Sequence, residues 1–121
     1  MQYLLLIHSD PSRWEHVPED ERNAIMAEYM TLSADMRERN VYVDGGQLQP
    51  VTTATTVRVV DGETAVTDGP FAETKEALGG YFLIEVESLD EAIEWAARIP
   101  AARHGAVEVR PLVPSPVEAS A

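Results

Sequence analysis

The sequence predicts an α+β domain: a four-stranded antiparallel sheet carrying two helices on one face, with a β-hairpin inserted between its halves. Three observations predict it. Residues 3–7 and 81–86 are short apolar runs of the kind that form buried strands. Residues 18–40 and 88–99 carry apolar residues at helical spacing. Between them, residues 55–67 are rich in β-branched side chains around an Asp61-Gly62 pair. The length, 121 residues, suits one domain with one core.

The first strand, Tyr3-Leu4-Leu5-Leu6-Ile7, ends in the turn-forming His8-Ser9-Asp10-Pro11. Pro18-Glu19-Asp20-Glu21 starts a helix, because proline fits the first turn and the acids face the positive end of the helix dipole. Ile25, Tyr29, Leu32 and Met36 form its apolar stripe, Met26 joins Tyr29 as core, and Asn40 terminates it. Val41-Tyr42-Val43 is a second strand, and Asp44-Gly45-Gly46 after it suggests a bulge or a close backbone approach. The hairpin strands are residues 55–60 and 63–67, ended by Asp68-Gly69-Pro70-Phe71, with Phe71 plugging the loop into the core.

Gly79-Gly80 precedes the best central strand, residues 81–86. Ser88-Leu89-Asp90-Glu91 is a capping box for a second helix whose buried stripe is Ala92, Ile93, Ala96 and Ile99, stopped by Pro100. Val107-Glu108-Val109-Arg110 alternates as a last strand, and residues 114–121 form a frayed, small-residue tail. With the hairpin set aside, two βαβ halves remain, and right-handed crossovers put both helices on one face. This is the ferredoxin-like βαββαβ architecture. Apolar residues occupy both parities of the strands, which one helical layer cannot bury, so the chain is expected to be a homodimer with sheet against sheet and the hairpin reaching toward the partner.

Composition excludes several classes. Nine Lys and Arg against 21 Asp and Glu give a net charge of −12, which opposes direct nucleic-acid binding and anionic membrane surfaces. No apolar run approaches the roughly 18 residues of a spanning helix. Residues 1–7 lack the basic region and cleavage site of a signal peptide, and cysteine is absent, so a cytoplasmic location is expected. Without cysteine, and with three scattered histidines, no metal site is expected. No dinucleotide, P-loop, nucleophile-elbow or zincin pattern occurs, and no cofactor is expected.

Asp68-Gly69-Pro70-Phe71-Ala72-Glu73-Thr74-Lys75-Glu76, followed by Gly79-Gly80-Tyr81, resembles the DGPF signature of the YCII-related family. The resemblance extends to Gly45-Gly46-Gln47-Leu48, Ala54-Thr55-Thr56-Val57-Arg58, the 94–100 segment and Val107-Glu108-Val109-Arg110-Pro111, and it covers residues 1–113 as one domain. It implies a dimeric α+β barrel with a ferredoxin-like protomer. Many members are encoded beside extracytoplasmic-function sigma factors. Some relatives look like enzymes, a dehydrochlorinase among them, and use a His–Asp pair. Their first-helix histidine falls at Glu28 here, which leaves Glu28 as a replacement acid.

The candidate catalytic residues are therefore Glu28, Asp68 and His8. An unperturbed imidazole titrates near pH ~6.5, which suits a general base, although a histidine at a strand end also serves as a backbone cap. Asp68 is either a turn former accepting a backbone amide or an acid at a pocket mouth. Lys75, the sole lysine, and Arg58 would hold an anionic group; Asp44 and Tyr81 complete the expected substrate contacts. Two functions follow. One is cofactor-independent lyase- or isomerase-like acid–base chemistry on a small organic molecule held between the sheet and the first helix. The other is a non-catalytic sensor or interaction module whose partner is a sigma factor.

Overall fold

The computed structural model describes residues 1–72 and 74–114. Glu73 and the tail from residue 115 onward lie outside the described residues. The elements are β1 (Gln2–Ser9), α1 (Pro11–Glu15), α2 (Glu19–Glu38), β2 (Tyr42–Gln47), β3 (Thr55–Val60), β4 (Glu63–Asp68), β5 (Ala77–Glu85), α3 (Leu89–Ala97) and β6 (Ala106–Pro111). Four strands form one sheet in the order β2-β5-β1-β6, with every pair antiparallel. β3 and β4 form a separate two-stranded ladder.

Strict alternation on β1 sets the core. Tyr3, Leu5 and Ile7 are buried, whereas Leu4, Leu6 and His8 between them are only half-buried. On β5 the register places Phe82 opposite Leu5 and Ile84 opposite Tyr3, so both point to the same side. Leu32 and Met36 of α2, together with Ala92, Trp95 and Ala96 of α3 and the following Ile99, pack onto that side in one cluster. Both helices thus lie on one face of the sheet.

Local chemistry explains most element ends. Asp61 (φ 52°) and Gly62 (φ 79°) both take the left-handed conformation that a type I′ hairpin turn requires. Gly69 (φ 102°) does the same in the Asp68-Gly69-Pro70 turn, where a side chain would strain the backbone. Asn40, at φ 59°, ends the turn after α2. Ser88 Oγ accepts from Glu91 N at 3.2 Å, the first half of the expected capping box. The second half differs: Glu91 Oε2 accepts from Glu87 N at 3.3 Å, one residue earlier than expected.

Other expectations are corrected. A short helix, α1, follows β1 where a turn was expected; the Asp10 carboxylate caps it by accepting from Ser12 N, and Pro11 opens it. Asp44-Gly45-Gly46 and Gly79-Gly80 lie inside β2 and β5, with register shifts in both strands' ladders, rather than outside them. Ile93 is 49% exposed and Trp95 is buried in its place, because α3 packs a shade further round its axis than the aliphatic spacing indicates. Met26 is exposed, and Ile25 and Tyr29 are only half-buried, since the first half of α2 runs beyond the core. Phe71 plugs nothing: it is 75% exposed, with the Arg58 guanidinium 5.0 Å above its ring.

Leu5→Ala opens a cavity at a fully buried site and should lower the free energy of unfolding in urea by about 2–5 kcal/mol. Ile93→Ala, at an exposed position, should change it by less than about 0.5 kcal/mol.

Candidate functional site

The sheet face opposite the helices gathers most of the chemistry. β-strand alternation puts Leu4, Leu6 and His8 of β1 on this face, and the register sets Leu83, Tyr81 and Leu78 of β5 opposite them. Asp44 lies across from Leu83 and Gly46 from Tyr81, while Glu108 and Arg110 of β6 lie across from Leu6 and Leu4. Half-buried leucines thus run between two polar clusters, one on each flank.

On the β2 flank the Tyr81 hydroxyl donates to Asp44 Oδ2 at 3.2 Å, and Gly45 N donates to Asp44 Oδ1 at 2.8 Å. The adjacent Asp44 charge, reinforced by this hydrogen bond, raises the Tyr81 pKa, because a phenolate beside a carboxylate is disfavoured. On the β6 flank His8 Nε2 lies 3.7 Å from Glu108 Oε1, and Arg110 donates to Glu108 Oε2. The hydrogen bond from Arg110 lowers the Glu108 pKa, helped by the charge of Arg110 and, to a smaller extent, by His8. Three of the residues expected from sequence, His8, Asp44 and Tyr81, therefore share one face.

The other four lie elsewhere. Glu28 sits on α2, on the helical side, where its two carboxylate oxygens accept from Arg103 at 2.9 and 3.0 Å. This pair raises the Arg103 pKa. A groove of about 490 Å³ opens there between Ala24, Ala27 and Thr31 on one wall and Arg98 and Arg103 on the other. It faces outward, not between sheet and helix; Leu32 and Met36 fill the sheet-side space. Its guanidiniums are already engaged, Arg98 by Asp35 at 2.5 Å and Arg103 by Glu28. Asp68 ends β4, exposed and opposite Thr55. Arg58 lies on β3 over Phe71. Lys75 is exposed ahead of β5. It adds a small share to the lowering of the Asp10 pKa, which the Ser12 hydroxyl and amide chiefly cause.

Glu108 and Arg110 were missed as site residues. The alternation of Val107-Glu108-Val109-Arg110 was visible, and pairing β6 with β1 would have put both charges on the His8 face. Among the described residues no group of three or more His, Cys, Asp or Glu could hold a metal, and no helix is long and apolar enough to cross a membrane.

The family model for the YCII-related domain matches residues 1–116. The chain belongs to the YCII-related family. An uncharacterised protein of Rhizobium meliloti (strain 1021) is 42% identical over 120 residues, covering 93% of this chain and 92% of the relative. Among solved structures, this YCII-related chain is similar in fold to 5-chloro-2-hydroxyhydroquinone dehydrochlorinase from Burkholderia phenoliruptrix AC1100 in complex with 2,5-dihydroxybenzoquinone. The TM-score is 0.50, at 16% identity, over 95% of this chain and 96% of that one.

Two titrations check the flanking clusters. Asp44→Asn removes the charge beside Tyr81, so phenolate absorbance should show one tyrosine titrating at lower pH than in the parent, a change absent in the Tyr81→Phe background. The lowered Glu108 pKa contributes stability that is present above the ordinary carboxyl range and lost as pH falls through the folded value. Arg110→Ala should therefore reduce urea stability near neutral pH and converge on the parent at strongly acidic pH.

Proposed function

We propose that the protein is a homodimer of ferredoxin-like protomers, a dimeric α+β barrel, that binds a small polar organic molecule against the open sheet face and moves protons on it. One observation carries this reading: half-buried Leu4, Leu6 and Leu83 lie between an imidazole–carboxylate pair and a phenol–carboxylate pair on a face that no helix covers. Leucine in such a place needs cover, and a second copy supplies it symmetrically.

Within that space His8 is the general base and Asp44 the carboxylate that takes or returns a proton through the Tyr81 hydroxyl. Positioned acid–base groups contribute about 10²- to 10⁴-fold to a rate without any cofactor. Glu28 holds the helical layer through Arg103, and Asp68 and Lys75 stand outside the face. The substrate class supported best is a hydroxylated ring: the dehydrochlorinase that shares the fold is named for one, and a leucine floor with polar flanks suits a flat, hydroxyl-rimmed molecule.

A thermal-shift series with 2,5-dihydroxybenzoquinone and hydroxyquinols tests the reading. Ligand at a hundred times its Kd adds about 2.7 kcal/mol, a readable rise in melting temperature. The rise should vanish in His8→Ala and Asp44→Ala and persist in Glu28→Gln. No shift for any ring compound, or one indifferent to His8 and Asp44, overturns the site. Sedimentation should find twice 13.3 kDa, and a monomer at high concentration overturns the dimer.

The charge of −12 favours a second reading, an acidic interaction module for a basic surface of a sigma factor. Co-purification of a sigma factor at low salt, lost at high salt and indifferent to His8→Ala, would support it over the enzyme.

A further inference from the structure

The β3–β4 ribbon is built like a surface awaiting cover. Every residue of its two strands except Thr56 is exposed. Its ladder sets Val57 opposite Val66, Val59 opposite Thr64 and Thr55 opposite Asp68, all on one side. Val57, Val59 and Val66 are 60%, 70% and 63% exposed. The hydrogen bonds at the ribbon's base stay within it: Gly69 N donates to Ala54 O at 2.7 Å, and Thr56 Oγ1 donates to Gly69 O at 2.9 Å. A two-stranded ribbon is marginal in water on its own, and β-branched residues stabilise it only when something packs on them. The ribbon leaves the sheet after Gln47, which pairs with Gly80, and returns at Ala77, which pairs with Ser9; both junctions lie at the His8 end of the sheet.

We infer that the valine side of each ribbon packs on the open sheet face of a second copy, so that each proposed site is walled in part by the partner's Val57, Val59 and Val66. This rests on the dimeric reading above and goes further, since it assigns the ribbon as the closing element and makes the site incomplete in one chain. Three features select a second copy as the occupant. One chain carries both unpartnered apolar surfaces, the valine side and the Leu4, Leu6 and Leu83 face, and a two-fold axis lets each copy use both at once. The charged groups of the leucine face are already paired there, Arg110 with Glu108 and Asp44 with the Tyr81 hydroxyl, so the valine side can pack on that face without stranding a charge. The opposite side of the ribbon bears one valine, Val60, beside Arg58, already stacked on Phe71, and Glu63, and is the more polar of the two.

The absence of cysteine makes a direct test available. Chains carrying Val57→Cys or Val59→Cys are mixed under mild oxidation with chains carrying Leu4→Cys, Leu6→Cys or Leu83→Cys. The expected result is a disulfide-linked dimer in at least one mixture of a ribbon chain with a face chain, in higher yield than for either chain alone. A Val57→Asp/Val66→Asp double variant, altered only at exposed positions, should keep its circular dichroism spectrum and dissociate at least tenfold more readily in sedimentation. If the parent is a dimer but no mixture cross-links and the double variant dimerises as the parent does, the ribbon assignment is overturned and the dimer stands. If the parent is a monomer, the underlying reading fails, and the inference with it. A parent that dimerises through ribbon edges, seen as Val59→Cys linking only to itself, also overturns the assignment.

Discussion

The structure turns on one mismatch: the central sheet carries apolar residues on both faces, and the described helices cover only one. β1 states the problem in five residues, with Tyr3, Leu5 and Ile7 pointing into the helical core and Leu4 and Leu6 pointing away from it. Fully burying an aliphatic side chain of this size contributes about 1.5–3 kcal/mol. Leu4, Leu6 and Leu83 are already half-buried, so completing their burial adds roughly 2–5 kcal/mol in all, a sizeable share of the ~5–15 kcal/mol that separates a folded domain from its unfolded chain. That exposed energy is the ground on which a second copy is proposed as the cover.

Covering the face also changes the chemistry of what lies on it. In one chain the Tyr81–Asp44 and His8–Glu108 contacts are open to water, which screens them. Under an apolar cover the same contacts act through a lower effective dielectric and gain several-fold in strength. In the proposed dimer, assembly and proton transfer would be one event: the leucines buried on association would exclude the water that otherwise screens the acid–base groups.

Most of the fold was legible because it rests on short-range chemistry. The type I′ turn at Asp61-Gly62, the proline-opened α2, the Asn40 terminator and the Ser88 cap are each written in two to four neighbouring residues. The corrections fall where tertiary packing overrides local pattern. Trp95 faces the core and Ile93 does not, because α3 is turned a little further round its axis than the aliphatic spacing indicates. Phe71 stays out because Arg58, not the core, is its neighbour. The site was half legible for the same reason. His8, Asp44 and Tyr81 could be named singly from strand ends and motif, but their shared face follows from the β1–β5–β2 register, bulges included, and a one-residue slip would have scattered them.

Glu28 illustrates what separates an acid that is present from an acid that can work. Its oxygens are held by a guanidinium, a group with five N–H donors that does not give up a proton in proteins, so that pair fixes geometry and passes nothing on. Asp44 is equally engaged, yet its partner is a hydroxyl whose proton can be shared and returned. His8, touching only the edge of Glu108 at 3.7 Å, retains a nitrogen free for a ligand. Glu28, expected from the family resemblance as an acid, is instead a bracket between α2 and the turn that carries Arg103. His8, Asp44 and Tyr81 lie across the sheet from it, on the face that carries Leu4, Leu6 and Leu83.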